Sequence, residues 1–124
     1  MSLSNEAPVE FVRPSKVYVT NVGWHNYDNA KKYGELVPLT EGRIDYRHTD
    51  RIREQIINGL RDFNADLDYV LISGMPALPF EVAAHLLKRF NKVRYLYWEP
   101  LMDDYLPRET TGELHNGIAS DVNE

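Results

Sequence analysis

Two hydrophobic periods take turns along the chain. Four runs dense in β-branched and aromatic residues predict strands: KVYVTNV (Lys16–Val22), ELVPLTEG (Glu35–Gly42), DYVLIS (Asp68–Ser73) and KVRYLYWE (Lys92–Glu99). In the second run Pro38 cannot donate a ladder hydrogen bond, which predicts a place at the sheet edge. The middle of the third run is continuously apolar, as expected of a strand buried on both faces.

Between the strands the period changes to that of a helix. HTDRIREQIINGLRDFN places Ile52, Ile56, Ile57, Leu60 and Phe63 on one face, with Thr49 or Asp50 as the expected cap. SGMPALPFEVAAHLLKRFN opens with turn residues. It predicts a helix with Pro79 in its first turn and Phe80, Ala83, Ala84, Leu87 and Phe90 as its buried face. NYDNAKKYG predicts a short helix, capped by Asn26 or Asp28 and closed by Gly34. Buried positions are expected to include Ile56, Leu60, Val70, Ile72, Ala84 and Leu87.

Strand and helix alternation argues for parallel pairing with right-handed crossovers. The expected fold is α/β: a single small three-layer Rossmann-like domain over residues 16–109, with a mainly parallel sheet of four to five strands. The first and third strands are expected inside, the second at one edge and the fourth at the other. MDDYLPRE (Met102–Glu109) adds either a fifth strand or a clasp. Residues 1–15 read as a flexible arm and residues 110–124 as a flexible polar tail, docking only if Leu114 or Ile118 finds a partner surface.

Composition narrows the function more than the fold. With 124 residues, 43% hydrophobic and 27% charged, the chain resembles an ordinary globular domain. A net charge of −5 argues against binding a nucleic-acid duplex through its phosphates. No apolar run approaches the length of a membrane span, and no signal-peptide layout opens the chain, so the cytoplasm is the expected compartment. Cysteine is absent and the four histidines are scattered, so neither zinc nor any other metal or cofactor is expected. The sequence contains no Walker loop, three-glycine dinucleotide fingerprint, HExxH or Gly-x-Ser-x-Gly elbow.

In open parallel sheets ligands bind outside the carboxyl ends of the strands. The residues just past each strand are therefore the candidates: Gly23, Trp24, His25, Asn26, Tyr27 and Asp28; Thr40, Glu41, Gly42 and Arg43; Ser73, Gly74, Met75 and Pro76; Trp98 and Glu99. Ligand contacts are expected from Gly23, Trp24, His25, Asn26, Thr40, Ser73, Gly74 and Met75, with charge from Lys31 or Lys32. The helix start after Ser73–Pro76 suits an anion, and Trp24 suits a nucleobase. His25, Asp28 and Glu41 are the candidate acid–base groups should the site be catalytic. The plainer alternative has Asp28 capping the short helix, the lysines solvated and His25 in an exposed loop.

The pattern His25-Asn26-Tyr27-Asp28-x-Ala30, then Gly34-Glu35-Leu36-Val37 and Leu39-Thr40-x-Gly42, resembles small α/β proteins of phage and prophage genomes, from about Val17 to Tyr105. More remotely, the architecture is similar to CARF domains of CRISPR systems. Those recognise cyclic oligoadenylates at the strand ends of a dimer, and Gly23–Asp28 and Ser73–Pro76 take the positions of their two ligand loops. This chain is shorter, has no effector domain and carries Met75-Pro76 in place of a glycine-threonine-lysine loop. The expected function is that of a soluble protein binding a small anionic ligand such as a nucleotide in a bacterial or phage-infected cell, with a homodimer as what the likeness to CARF domains implies; charge and hydropathy argue against duplex nucleic acid and membrane as partners. Two alternatives stay open: a phosphodiesterase or nucleotide hydrolase on the same site, and a non-enzymatic interaction or inhibitor module using the eight tyrosines.

Overall fold

The computed structural model describes residues 13–112. In chain order the elements are β1 (Lys16–Val19), a 3-10 helix (Asp28–Tyr33), β2 (Glu35–Pro38), α1 (Thr49–Gly59), β3 (Tyr69–Leu71), α2 (Ala77–Phe90), β4 (Lys92–Glu99) and β5 (Asp104–Thr111). The five strands form one sheet in the order β2-β1-β3-β4-β5. The first four are parallel, and β5 runs antiparallel to β4. The class is therefore α/β with a mixed, mostly parallel sheet.

β1 and β3 lie inside and β2 forms an edge, where the missing N–H of Pro38 costs no ladder bond. β4 is not the other edge. β5 pairs with it along its whole length, from Glu99 against Asp104 to Lys92 against Thr111. The turn between them is tight: the Met102 and Asp103 N–H groups donate to the Glu99 and Pro100 carbonyls. Such a hairpin needs no crossover helix, so MDDYLPRE is strand rather than clasp, and the strand runs two residues past the expected boundary at 109. The remaining tail, with Leu114 and Ile118, and residues 1–12 of the arm lie outside the described residues.

Alternation along the strands feeds two cores. On one face Tyr18, Val70 and Val93 meet Ile56 of α1, Leu60 at its C-cap, and Leu78, Val82 and Leu86 of α2. On the other, Val17, Val19, Leu71, Leu96 and Tyr105 are covered by Tyr27 and by Ala30 of the 3-10 helix.

The expected face of α2 is out of phase. Leu78, Val82 and Leu86 are buried, Leu87 and Phe90 are only partly so, Ala84 is exposed and Phe80 is 75% exposed. The helix starts at Ala77 and is apolar round much of its surface, so its periodicity admits more than one stripe; the row that meets the sheet is i, i+4 from Leu78. Ile56 of α1 and Leu60 at its C-cap are buried as expected, but Ile57 is exposed. Ile72 is also exposed, at 42%: it lies one residue past the end of β3, with its N–H donating to the Leu96 carbonyl of β4. No side chain caps either α-helix; His48 and Pro76 occupy the caps.

The amino end of the sheet is tied by one buried carboxylate. Asp68 accepts from both Arg13 guanidinium nitrogens and from the Lys16 and Asn64 backbone N–H groups. Burial pushes this carboxyl up, but Arg13 and the two N–H groups outweigh it and hold the group below the usual carboxylate range. Nearby, Ser15 Oγ donates to the Tyr33 carbonyl, and Gly34 sits so close that a Cβ there would lie 2.4 Å from the Ser15 carbonyl oxygen. Arg13 and Ser15, assigned to the flexible arm by composition, are thus part of the fold.

Candidate functional site

At the carboxyl end, β1 continues into Thr20 and Asn21, and these two residues hold both flanking loops. The Thr20 hydroxyl donates to the Ser73 carbonyl and accepts the Ser73 N–H at 2.9 Å. Asn21 Nδ2 donates to the Gly42 carbonyl at 3.1 Å. The Thr40 hydroxyl is shared between the Thr20 carbonyl (2.7 Å) and Asn21 Oδ1 (2.8 Å). Tyr27 folds back under its own loop. Its hydroxyl lies 2.9 Å from Ser73 Oγ, accepts the Gly23 N–H at 3.1 Å and reaches the Asn21 carbonyl at 3.3 Å. Each of these buried polar groups has a partner, which keeps such a network from costing stability.

This network brings the Gly23–Asn26 loop against the Ser73–Met75 turn. A cleft of about 530 Å³ between them is lined by Gly23, Trp24, His25, Ser73, Gly74 and Met75, and by Asn21, Gly42, Arg43, Ile44 and Tyr46. A second, of about 540 Å³, adjoins it and is lined by His25, Asn26, Tyr27, Ile72, Ser73, Gly74, Trp98 and Tyr105. Both fall in the size range of small-molecule sites. Among the described residues neither lining contains a carboxylate, in a chain with 19 acidic residues.

Of the expected ligand contacts, all but Thr40 line these clefts. Thr40 is buried, its hydroxyl committed to β1, so it builds the site without facing it. The candidate acid–base groups are not assembled. Asp28 pairs with Lys31 at 3.0 Å and accepts no cap bond, while Asn26 Oδ1 accepts the Asp28 N–H. Neither Asp28 nor Glu41 lines a cleft. Lys32 pairs with Asp104, so neither lysine supplies the cleft with charge. Arg43 does. It is exposed and makes no hydrogen bond or ion pair among the described residues. The sequence signal for it was its place in the run after the second strand; nothing in that run pointed to Tyr46.

Glycine is required at Gly74 by its backbone, at φ +91°, where a Cβ would also lie 2.8 Å from Asn21 Cβ. Substitution there disturbs the turn whatever the ligand. The α2 start is also a weaker anion seat than its topology promises. Pro76 and Pro79 carry no N–H, and the Leu78 and Phe80 N–H groups already donate to the Met75 and Pro76 carbonyls.

Among the described residues there is no cluster of three or more His, Asp or Glu placed to hold a metal ion, and no helix long and apolar enough to cross a membrane. The family model described as phage Pam3 gp32-like protein matches residues 13–111. The chain belongs to that family, in accord with the resemblance to phage proteins. No curated protein and no solved structure matches it, so the likeness to CARF domains gains no support.

Proposed function

We propose that this member of the phage Pam3 gp32-like family is a nucleotide-binding protein, with a reduced Rossmann-like three-layer fold that holds its ligand at the carboxyl ends of the parallel strands. The observation that carries the proposal is the make-up of the paired clefts: Trp24, Tyr46 and Trp98 as rings, His25 and Arg43 as the basic groups, and no carboxylate among the described residues. Rings of this kind stack on bases of any identity. An unpaired guanidinium offers a planar fork to a phosphate. Excluding carboxylates leaves a local potential that admits an anion to a chain of net charge −5. A hydrolase on the same site has less support, since Asp28 and Glu41 stand outside the clefts and, among the described residues, no carboxylate lines them beside His25.

The test is titration with AMP, GMP, CMP and UMP, followed by tryptophan fluorescence. Binding is expected to weaken at least tenfold in Arg43→Ala, with the fold intact. If none of the four monophosphates binds at millimolar concentration, the proposal fails.

A further inference from the structure

We infer that the ligand of this site is a dinucleotide, one base in each cleft. The inference rests on the nucleotide-binding reading and goes further, because the site is double. The two clefts share three residues, His25, Ser73 and Gly74, and open side by side across the Ser73–Gly74 turn. That dividing wall is rigid. Ser73 is gripped by Thr20 on its backbone and by Tyr27 on its side chain, so the clefts do not merge into one.

Each cleft has its own large ring. The chain contains two tryptophans: Trp24 stands fully exposed on the first cleft, and Trp98 stands 41% exposed on the second, braced edge-on by Tyr105 at 5.0 Å between ring centroids. Two stacking platforms flanking a polar divider match two bases joined by a phosphodiester, with the bridging phosphate beside His25. The clefts also differ in charge. Arg43 lines only the first, and among the described residues the second has no basic group beyond the shared His25. The geometry therefore assigns a terminal phosphate to the base at Trp24 and none to the base at Trp98. A longer strand gains nothing from these clefts, and its further phosphates would meet a net-acidic surface.

The two tryptophans make the test direct. Trp98→Phe leaves Trp24 as the only tryptophan, and Trp24→Phe leaves Trp98; both keep a stacking ring. The probes are AMP, the 5′-phosphorylated dinucleotide pApA, and a ten-nucleotide adenylate strand. At half-saturation AMP is expected to quench Trp24 alone. The dinucleotide is expected to quench both reporters and to bind at least tenfold tighter than AMP, since the second base binds as a tethered group. Trp98→Ala, checked for an unchanged melting temperature, is expected to bind pApA no more tightly than the parent binds AMP. If pApA binds no tighter than AMP, or leaves Trp98 unquenched, the dinucleotide inference is overturned and the mononucleotide reading stands. A decanucleotide binding tenfold tighter than pApA overturns it in favour of a strand-binding site. If no probe binds, both readings fall.

Discussion

The two ends of this sheet use polar residues in opposite ways. At the amino end, Asp68 is buried and its carboxylate is saturated by Arg13, Lys16 and Asn64. Lys92 pairs with Asp66, and Arg94 donates to the Asp66 carbonyl. At the carboxyl end the groups that face inward are equally satisfied, through Thr20, Thr40, Tyr27 and Ser73. The groups that face outward are not: among the described residues Trp24, His25 and Arg43 make no hydrogen bond or ion pair. One end spends its polar groups on stability. The other spends only its inner layer on stability and leaves an outer layer of rings and a guanidinium for something else. Strand direction accounts for the difference, because the loops that leave the carboxyl ends of parallel strands converge there.

The largest test of this contrast is Asp68→Ala. It leaves two part-buried N–H groups without an acceptor and the Arg13 guanidinium with only the Pro14 and Asp62 carbonyls, and breaking a buried pair in this way costs about 3–5 kcal/mol. Arg13 keeps 31% of its side chain exposed, so the expected loss is near the lower figure, read from urea denaturation. A loss below about 1 kcal/mol would place the amino end among ordinary surfaces.

The same group sets an acid limit. Its folded carboxyl lies below its ordinary value of 3.8. The stability it contributes is therefore full above that value and declines as pH falls through the lower folded value, where the native carboxylate at last takes up its proton. Melting scans from pH 6 downward are expected to show this decline in the parent, and a smaller one in Asp68→Asn.

Thr20→Val tests the inner layer of the carboxyl end. It keeps the shape but strips the Ser73 N–H and carbonyl of their buried partner, at about 1–3 kcal/mol for each group left unsatisfied. A loss of about 2 kcal/mol is expected, together with weaker ligand binding as the dividing turn loosens. Unchanged binding would detach the network from the site.

The smallest effect on stability belongs to the outer layer. Trp24→Ala and Arg43→Ala are each expected to stay within about 0.5 kcal/mol of the parent, as surface substitutions do, while ligand affinity falls tenfold or more. A stability loss of the Asp68 kind at either position would erase the contrast between the ends.

The sequence by itself determined the alternation of elements, the edge position of β2 and the segments that line the clefts. These follow from local facts: hydrophobic period, the missing N–H of Pro38, and the rule that loops after parallel strands share one edge. Three matters waited on the tertiary structure. The buried stripe of α2 was open because a helix apolar around much of its surface carries several i, i+4 rows, and only the sheet selects Leu78, Val82 and Leu86. The fate of Ile72 was open because a continuous apolar run does not show where the ladder stops. The charge of the site was open because lysine pairs read alike whether free or engaged. Asp28 and the distant Asp104 engage Lys31 and Lys32, and the cation left over is Arg43, which folding brings beside Trp24. Local pattern fixes what each segment is; which partners remain unclaimed depends on residues far apart in the chain.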